Sequence, residues 1–294
     1  IINMLLKQCE NRKLKIVKKW TKHKNNNLKF YKTLRFYKII YMLSSLYFFA
    51  HNFKCIILYN IKRRDEHMAR ILVYNNDTNR METYYRGLSE AMPYNANRTL
   101  TVREFRGSSN SNVLWTEKRV MQAWNSQRYV FGAPIPVGFA FKRPYEGGHG
   151  NQSQHYAGTA FDVGQRLSNS ERNRLRTSAI NSGIWSYVEP AELTPTWVHF
   201  DKRRGTPACS TGGYPLIKQG SRGAYVCIAQ DNLNTLGYRT GGLDGVFGTQ
   251  TRNATIQYQK RVGLSADGII GCNTWRSLQE SVVGTGKTAT TINE

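Results

Sequence analysis

The sequence predicts an α+β domain, a small antiparallel sheet with flanking helices, followed by a small all-α three-helix module. Three observations predict it. Strand-like and helix-like segments mix without strict alternation between residues 68 and 203. After residue 213 a short motif occurs twice, each copy leading into a helical stretch. All 25 Gly and all 8 Pro lie after His67, so the turns a fold needs are confined to the later residues. At 294 residues the length fits two domains. The chain is 40% hydrophobic and 21% charged, which supplies a sizeable core and argues against a wholly disordered chain. Five cysteines with no CxxC pair give no support to a disulfide scaffold, a zinc finger or a thioredoxin-type site.

Residues 1–67 stand apart. Lys, Asn, Ile, Tyr and Phe make up 37 of them, and they carry +13 of the chain's +23. Three readings compete. One is an export or membrane segment built on Ile39–Ala50, whose 12 residues suit a signal-peptide core better than a span, which needs about 20. The basic stretch before it is far too long for an ordinary signal. Another is a basic arm for nucleic acid. The last is an over-extended reading frame, since these residues are what AT-rich DNA encodes and Met68 opens a strand-like run. The composition favours this last reading, and 1–67 is kept out of the fold prediction.

The elements follow in order. Ile71–Tyr74 reads as a strand and Asn75–Asn79 as a turn. Leu100–Phe105 alternates and reads as a half-buried strand. Thr116 is placed as the cap of a helix running to about Trp124, with Val120, Met121 and Trp124 on one face. Ile135–Phe141 is a short apolar strand, and Pro144–Gln154 is Gly-rich and irregular. Ser168-Asn-Ser-Glu171 is a capping box opening a helix to about Asn181, closed by Gly183. Ser186–Glu189 and Thr196–Asp201 read as a hairpin. Residues 204–213 are a linker.

The module spans 214–281. Asp244-Gly-Val-Phe-Gly-Thr-Gln-Thr251 and Asp267-Gly-Ile-Ile-Gly-Cys-Asn-Thr274 share one pattern. Asp and Gly make a turn, Phe247 or Ile270 plugs the core, and Thr is expected to cap the next helix. Helices at about 221–236, 249–262 and 272–281 would close on Val226, Leu233, Ile256, Tyr258, Val262, Trp275 and Leu278. Cys227 and Cys272 are expected as buried thiols, and residues 282–294 as a disordered tail.

Two motifs carry chemistry. One is Ser153-x-His155-x-x-Gly158-x-Ala160-x-Asp162. The other is Trp197-Val-His199-Phe-Asp201, on a predicted strand. Two His and one Asp make a metal set that leaves one position for water, the pattern of catalytic zinc. Zinc acidifies that water and polarises a carbonyl. Gly158 and Ala160 would let the backbone pass close to the site.

At these residues the chain resembles the zinc D-alanyl-D-alanine carboxypeptidase family, which includes peptidoglycan endopeptidases. The resemblance covers roughly residues 100–203. It implies an α+β zinc peptidase fold, a Zn2+ cofactor, and His155, Asp162 and His199 as ligands. It also implies that Arg143, after an apolar strand, binds the substrate carbonyl or carboxylate and steadies the oxyanion. Many members carry an acidic base three residues before the last His, where this chain has Thr196. Asp201, Glu189 and Glu192 are the substitutes. Asp201 shares a strand face with His199 and can be base or partner to a ligand. Ser153 and His149 are candidate substrate contacts on the loop. The 214–280 repeat resembles the peptidoglycan-binding-domain-like module of cell-wall hydrolases.

Together these imply a zinc-dependent peptidase of peptidoglycan stem peptides, targeted to the wall by its C-terminal module. The alternative is a non-catalytic wall-binding protein with a structural zinc. The expected partner is bacterial peptidoglycan, with a monomeric chain. Nucleic acid is not expected, because residues 68–294 carry only +10. Membrane contact is expected only through residues 1–67. Action at the wall, by a secreted protein or a phage-type lysin, follows.

Overall fold

The structure, a computed structural model, describes residues 68–209 and 213–287. The expectations for 1–67, for 210–212 of the linker and for 288–294 of the tail lie outside the described residues. Every described element belongs to one compact unit. No described helix is long and apolar enough to cross a membrane.

The first sheet has the order β2-β1-β3. β1 (Met68–Asn75) pairs antiparallel with β2 (Arg80–Gly87) and parallel with β3 (Val113–Glu117). β1 is buried over Leu72–Tyr74, as its apolar run requires. β2 was not anticipated, because Arg80, Glu82 and Arg86 dilute its apolar signal.

Leu100–Phe105, expected as a strand, instead contains the helix α1 (Val102–Arg106). The reason is local. Thr101 accepts a hydrogen bond from the Glu104 amide, while the Glu104 carboxylate accepts from the Thr101 amide, a complete capping box. Val102 and Phe105, three apart, go to the core together. Thr116 is not a helix cap either. It lies in β3 and donates to the Gly158 carbonyl at 2.7 Å. The helix α2 (Lys118–Phe131) begins later and buries Val120, Met121 and Trp124 as expected.

The second sheet is the predicted antiparallel one, ordered β4-β5-β7-β6. It comprises β4 (Val137–Phe139), β5 (Ala160–Val163), β6 (Tyr187–Val188) and β7 (Val198–Asp201), with β6 and β7 forming the expected hairpin. The helix α3 (Asn169–Ser182) has the Ser168–Glu171 capping box and ends on Gly183 at φ 63°, as read from the sequence. On β5 and β7 alternate residues face opposite sides. Phe161 and Phe200 are partners in the ladder and pack with Trp124 and Trp185, at 4.8 and 4.2 Å between ring centroids. Asp162 and His199 are the next pair and take the other face.

The helices α4 (Ala224–Thr235), α5 (Thr249–Arg261) and α6 (Cys272–Val282) match the three predicted. Each repeat is organised by a buried glutamine. Gln230 donates to Asp244, the Val246 carbonyl and Thr251, and accepts from the amides of Asp244 and Gly245. Gln259 does the same with Asp267, Ile269, Thr274 and Gly268. Phe247 and Ile270 are buried plugs. Thr251 and Thr274 sit inside the first helical turn and serve the glutamines rather than the caps, which are Gly248 and Gly271. Val226, Leu233, Tyr258, Trp275 and Leu278 are core; Ile256 is half-buried and Val262, at a helix end, is exposed.

The linker is pinned at both described ends. Cys209 forms a disulfide with Cys272, so Cys272 is not the expected thiol; Cys227 is a buried free thiol. Ala208 donates to the Tyr214 carbonyl at 2.9 Å. The first part of the tail is ordered too. Gly284 and Gly286 donate to the carbonyls of Pro144 and Tyr145, at 3.1 and 2.9 Å.

Candidate metal centre

Residues 149–155 form a loop that turns back on itself. The Tyr156 hydroxyl accepts from the His149 amide at 3.2 Å and donates to the His149 carbonyl at 3.0 Å. Two tyrosines of the helical half hold the same loop. Tyr214 donates to the Ser153 carbonyl at 2.7 Å, and Tyr225 to the Gln154 side chain at 2.9 Å. Gly158 ends the turn at φ 62°, and a Cβ there would lie 2.0 Å from the Trp115 carbonyl oxygen. Only glycine fits, because of the β3 backbone rather than the site itself.

The chain thereby brings His155, Asp162 and His199 together. His155 and Asp162 approach to 3.3 Å, and Asp162 and His199 to 2.7 Å. The His155 and His199 rings are 5.2 Å apart. His149 joins them. One ligand atom from each of His149, His155 and Asp162 lies within 4.8 Å of the others. A cavity of about 290 Å³ opens on the four and is also lined by Tyr187, Glu189, Trp197 and Arg203.

A buried carboxylate between two imidazoles sets the electrostatics of the cluster. Burial of Asp162 would raise its pKa, but hydrogen bonds and charge from both His155 and His199 hold it well below the usual carboxylate range. Burial would lower His199, yet Asp162 and Asp201 raise it to about 9. Burial, with His155 adding to it, lowers His149 to about 4, so that its ring is neutral with a lone pair available. His155 Nδ1 faces the Ala140 carbonyl at 3.1 Å. That carbonyl can only accept, so Nδ1 carries the proton and Nε2 keeps its lone pair. His149 Nε2 is buried with no hydrogen-bond partner among the described residues, and His155 Nε2, buried too, has Asp162 Oδ1 at 3.3 Å. Buried polar atoms are ordinarily paired. Two buried nitrogens beside an ionised carboxylate fit a divalent metal, and nitrogen and oxygen donors suit zinc.

The other predicted residues separate. Asp201 is fully buried and held by Arg203 through bonds of 2.8 and 2.5 Å, and it faces His199 Nε2 at 3.3 Å. Asp201 does not line the cavity. Glu189 lines the cavity, Glu192 is exposed outside it, and Ser153 lines it with its hydroxyl bonded to the His155 amide at 3.3 Å. Arg143 is a correction. Its guanidinium is buried against Asp231 of α4, at 3.0 and 2.5 Å, and against Ser111 at 3.0 Å. It ties the two halves together and does not line the cavity. The sequence reading missed Arg203, the one Lys or Arg side chain on the cavity wall, which lies over the Tyr187 ring at 4.4 Å. Its place two residues after Asp201, at a strand end, was the available signal.

Residues 222–278 match the family described as "Putative peptidoglycan binding domain". The chain carries a peptidoglycan-binding domain near its C-terminus. The other similarities are partial. An N-acetylmuramoyl-L-alanine amidase, CwlM, of Mycobacterium tuberculosis is 53% identical over 53 residues, 18% of this chain and 13% of that protein. A spore cortex-lytic enzyme of Bacillus cereus is 34% identical over 82 residues, 27% of this chain and 32% of that protein. Thus the chain spans a third or less of these relatives. A crystal structure of a peptidoglycan-binding protein from Clostridioides difficile is 46% identical, covering 24% of this chain and 44% of that one, with a TM-score of 0.23. The N-terminal domain of SleB is 36% identical, covering 23% and 92%, also at 0.23.

Proposed function

We propose that the chain is a zinc-dependent peptidase of peptidoglycan stem peptides, brought to the wall by its peptidoglycan-binding domain. The observation that carries this reading is the convergence of His155, Asp162 and His199 on one cavity, with both imidazoles against the Asp162 carboxylate. The relatives' names, an amidase and a cortex-lytic enzyme, support wall hydrolysis in general.

His155, Asp162 and His199 would hold the metal. Bound zinc supplies a Lewis acid for the scissile carbonyl and acidifies water at neutral pH. The protein's own part is positioning and proton transfer. Ala140 fixes the His155 tautomer, and the Asp201–Arg203 pair orients His199. Glu189, the cavity carboxylate that is neither ligand nor ion-paired to Arg203, takes the proton at its carboxylate and returns it to the leaving amine. Arg203 takes the role the resemblance gave to Arg143, offering its guanidinium to the substrate carbonyl or terminal carboxylate. Tyr187 and Trp197 wall the cavity and displace water from the bound peptide.

A second reading, a wall-binding protein with a structural zinc, is favoured by one observation: Thr196 stands where an acid is expected, and Asp201 is sequestered by Arg203. One experiment separates the two. The purified chain is incubated with peptidoglycan, with and without a chelator, and the muropeptides are read by mass spectrometry. Chelator-sensitive loss of one D-Ala gives a carboxypeptidase, and a chelator-sensitive split within or between stems gives an endopeptidase. Release of whole stems from the glycan would replace the peptidase reading with an amidase. No cleavage, with the protein retained on the wall, would overturn the enzyme reading.

A further inference from the structure

We propose that His149 is itself a metal ligand, a fourth protein donor beside His155, Asp162 and His199, and that it closes the site until substrate displaces it; this rests on the zinc reading above. The sequence suggests only a substrate contact for His149. His149 lines the cavity, and its Nε2 is buried with no hydrogen-bond partner among the described residues. Its ring lies on the His155 ring, with centroids 4.3 Å apart and planes 26° from parallel. The Phe139 ring contacts both imidazoles, at 4.3 Å from His149 and 5.1 Å from His155. A cation shared by these two imidazoles would also reach the Asp162 carboxylate, because one ligand atom from each of the three lies within 4.8 Å of the others.

The backbone around His149 is built for this. Both its amide and its carbonyl are bonded to the hydroxyl of Tyr156, a fully buried residue adjacent to His155. In this arrangement the Tyr156 hydroxyl holds His149 beside His155. On the other side the chain runs Gly147-Gly148-His149-Gly150, with Gly147 at φ 65° and Gly148 at φ 93°. Such backbone is open to glycine and rarely to other residues. It gives the His149 segment routes of rearrangement that a strand residue such as His199 lacks. Four protein donors make a closed coordination sphere, and a catalytic site needs one position to open. A donor on a glycine-flanked loop is the one suited to leave.

The test uses the full chain and zinc alone. X-ray absorption on the zinc-loaded, substrate-free protein counts the imidazoles, with three expected from the proposal and two if His149 is not a ligand. In parallel, zinc affinity is measured by competition with a chromophoric chelator. His149→Ala should weaken binding by about tenfold or more, and His149→Glu, which restores a donor, should recover most of the loss. Two imidazoles, or unaltered affinity in a folded His149→Ala protein, would overturn the proposal while leaving the zinc site standing. No zinc uptake by the unaltered chain would overturn both. Adding a non-cleaved stem-peptide analogue should lower the imidazole count to two, and a count still at three would overturn the displacement.

Discussion

The two halves of this molecule treat buried nitrogen differently. In the helical half, Gln230 and Gln259 each sit under a D-G-x-φ-G-x-x-T loop, where φ is an apolar residue, with donors and acceptors fully engaged. In the sheet half, among the described residues, His149 buries an Nε2 with no hydrogen-bond partner and His155 buries one whose neighbour is the Asp162 carboxylate at 3.3 Å. The helical half has unpartnered amides as well, on Asn232 and Gln279. The difference is convergence. Among the described residues, the His149–His155–Asp162 group is the one that places three donors of metal-ligand type within 4.8 Å. An unsatisfied buried atom alone marks a cost; several donors aimed at one point mark a ligand.

The comparison can be broken most severely at the site. Asp162→Asn should reduce zinc affinity by about 100-fold or more and abolish wall cleavage, while leaving the helical half folded. Chelator competition and circular dichroism check this together. A variant that unfolds but still binds zinc would reverse the assignment.

The contact between the halves comes next. Asp231→Ala leaves the Arg143 guanidinium buried without its main partner, because both side chains are nearly or fully inaccessible. Stability should fall by about 3–5 kcal/mol in urea titration. A change within about 0.5 kcal/mol would show that Arg143 is not the tie described here.

Gln259→Ala is the helical counterpart. It strands the Gly268 amide and the Asp267 turn, and should cost about 1–3 kcal/mol with zinc affinity unaltered. A zinc effect equal to that of Asp162→Asn would erase the distinction between structural and functional polar groups.

The smallest effect is on acid stability. Burial would raise the Glu82 pKa, but hydrogen bonds from Tyr94, Asn75 and Tyr84 hold it below its ordinary 4.5. A carboxylate depressed in the folded state adds stability above its unfolded pKa. That stability is lost as pH falls through the folded value. Glu82→Gln should therefore flatten the loss of stability below pH 4.5, seen as a smaller drop in Tm between pH 5 and pH 3. An unaltered acid slope would contradict this.

What the sequence revealed was mostly local. The Ser168 capping box, the Asp-Gly turns and the 187–201 hairpin depend on residues a few positions apart, and each formed. His155, Asp162 and His199 were legible because their spacing is a motif. Leu100–Phe105 misled because a short alternating run fits a strand, although Thr101 and Glu104 already spelled a capping box. Long-range pairing was hidden. Asp231 lies 88 residues from Arg143, and Cys209 lies 63 from Cys272; neither distance leaves a mark in the sequence. Nor did the glutamines announce the loops they organise. His149 was legible as a substrate contact, but its place beside His155 was hidden for another reason. Its neighbours are glycines that carry no pattern, and only the Tyr156 hydroxyl folds it onto His155.

The most direct test of the metal centre is anomalous X-ray scattering at the zinc edge, from crystals of the full chain grown with zinc. The account predicts one strong peak within bonding distance of His155, Asp162 and His199. A map with no peak there, and with ordered water bonded to the buried imidazole nitrogens, would contradict it.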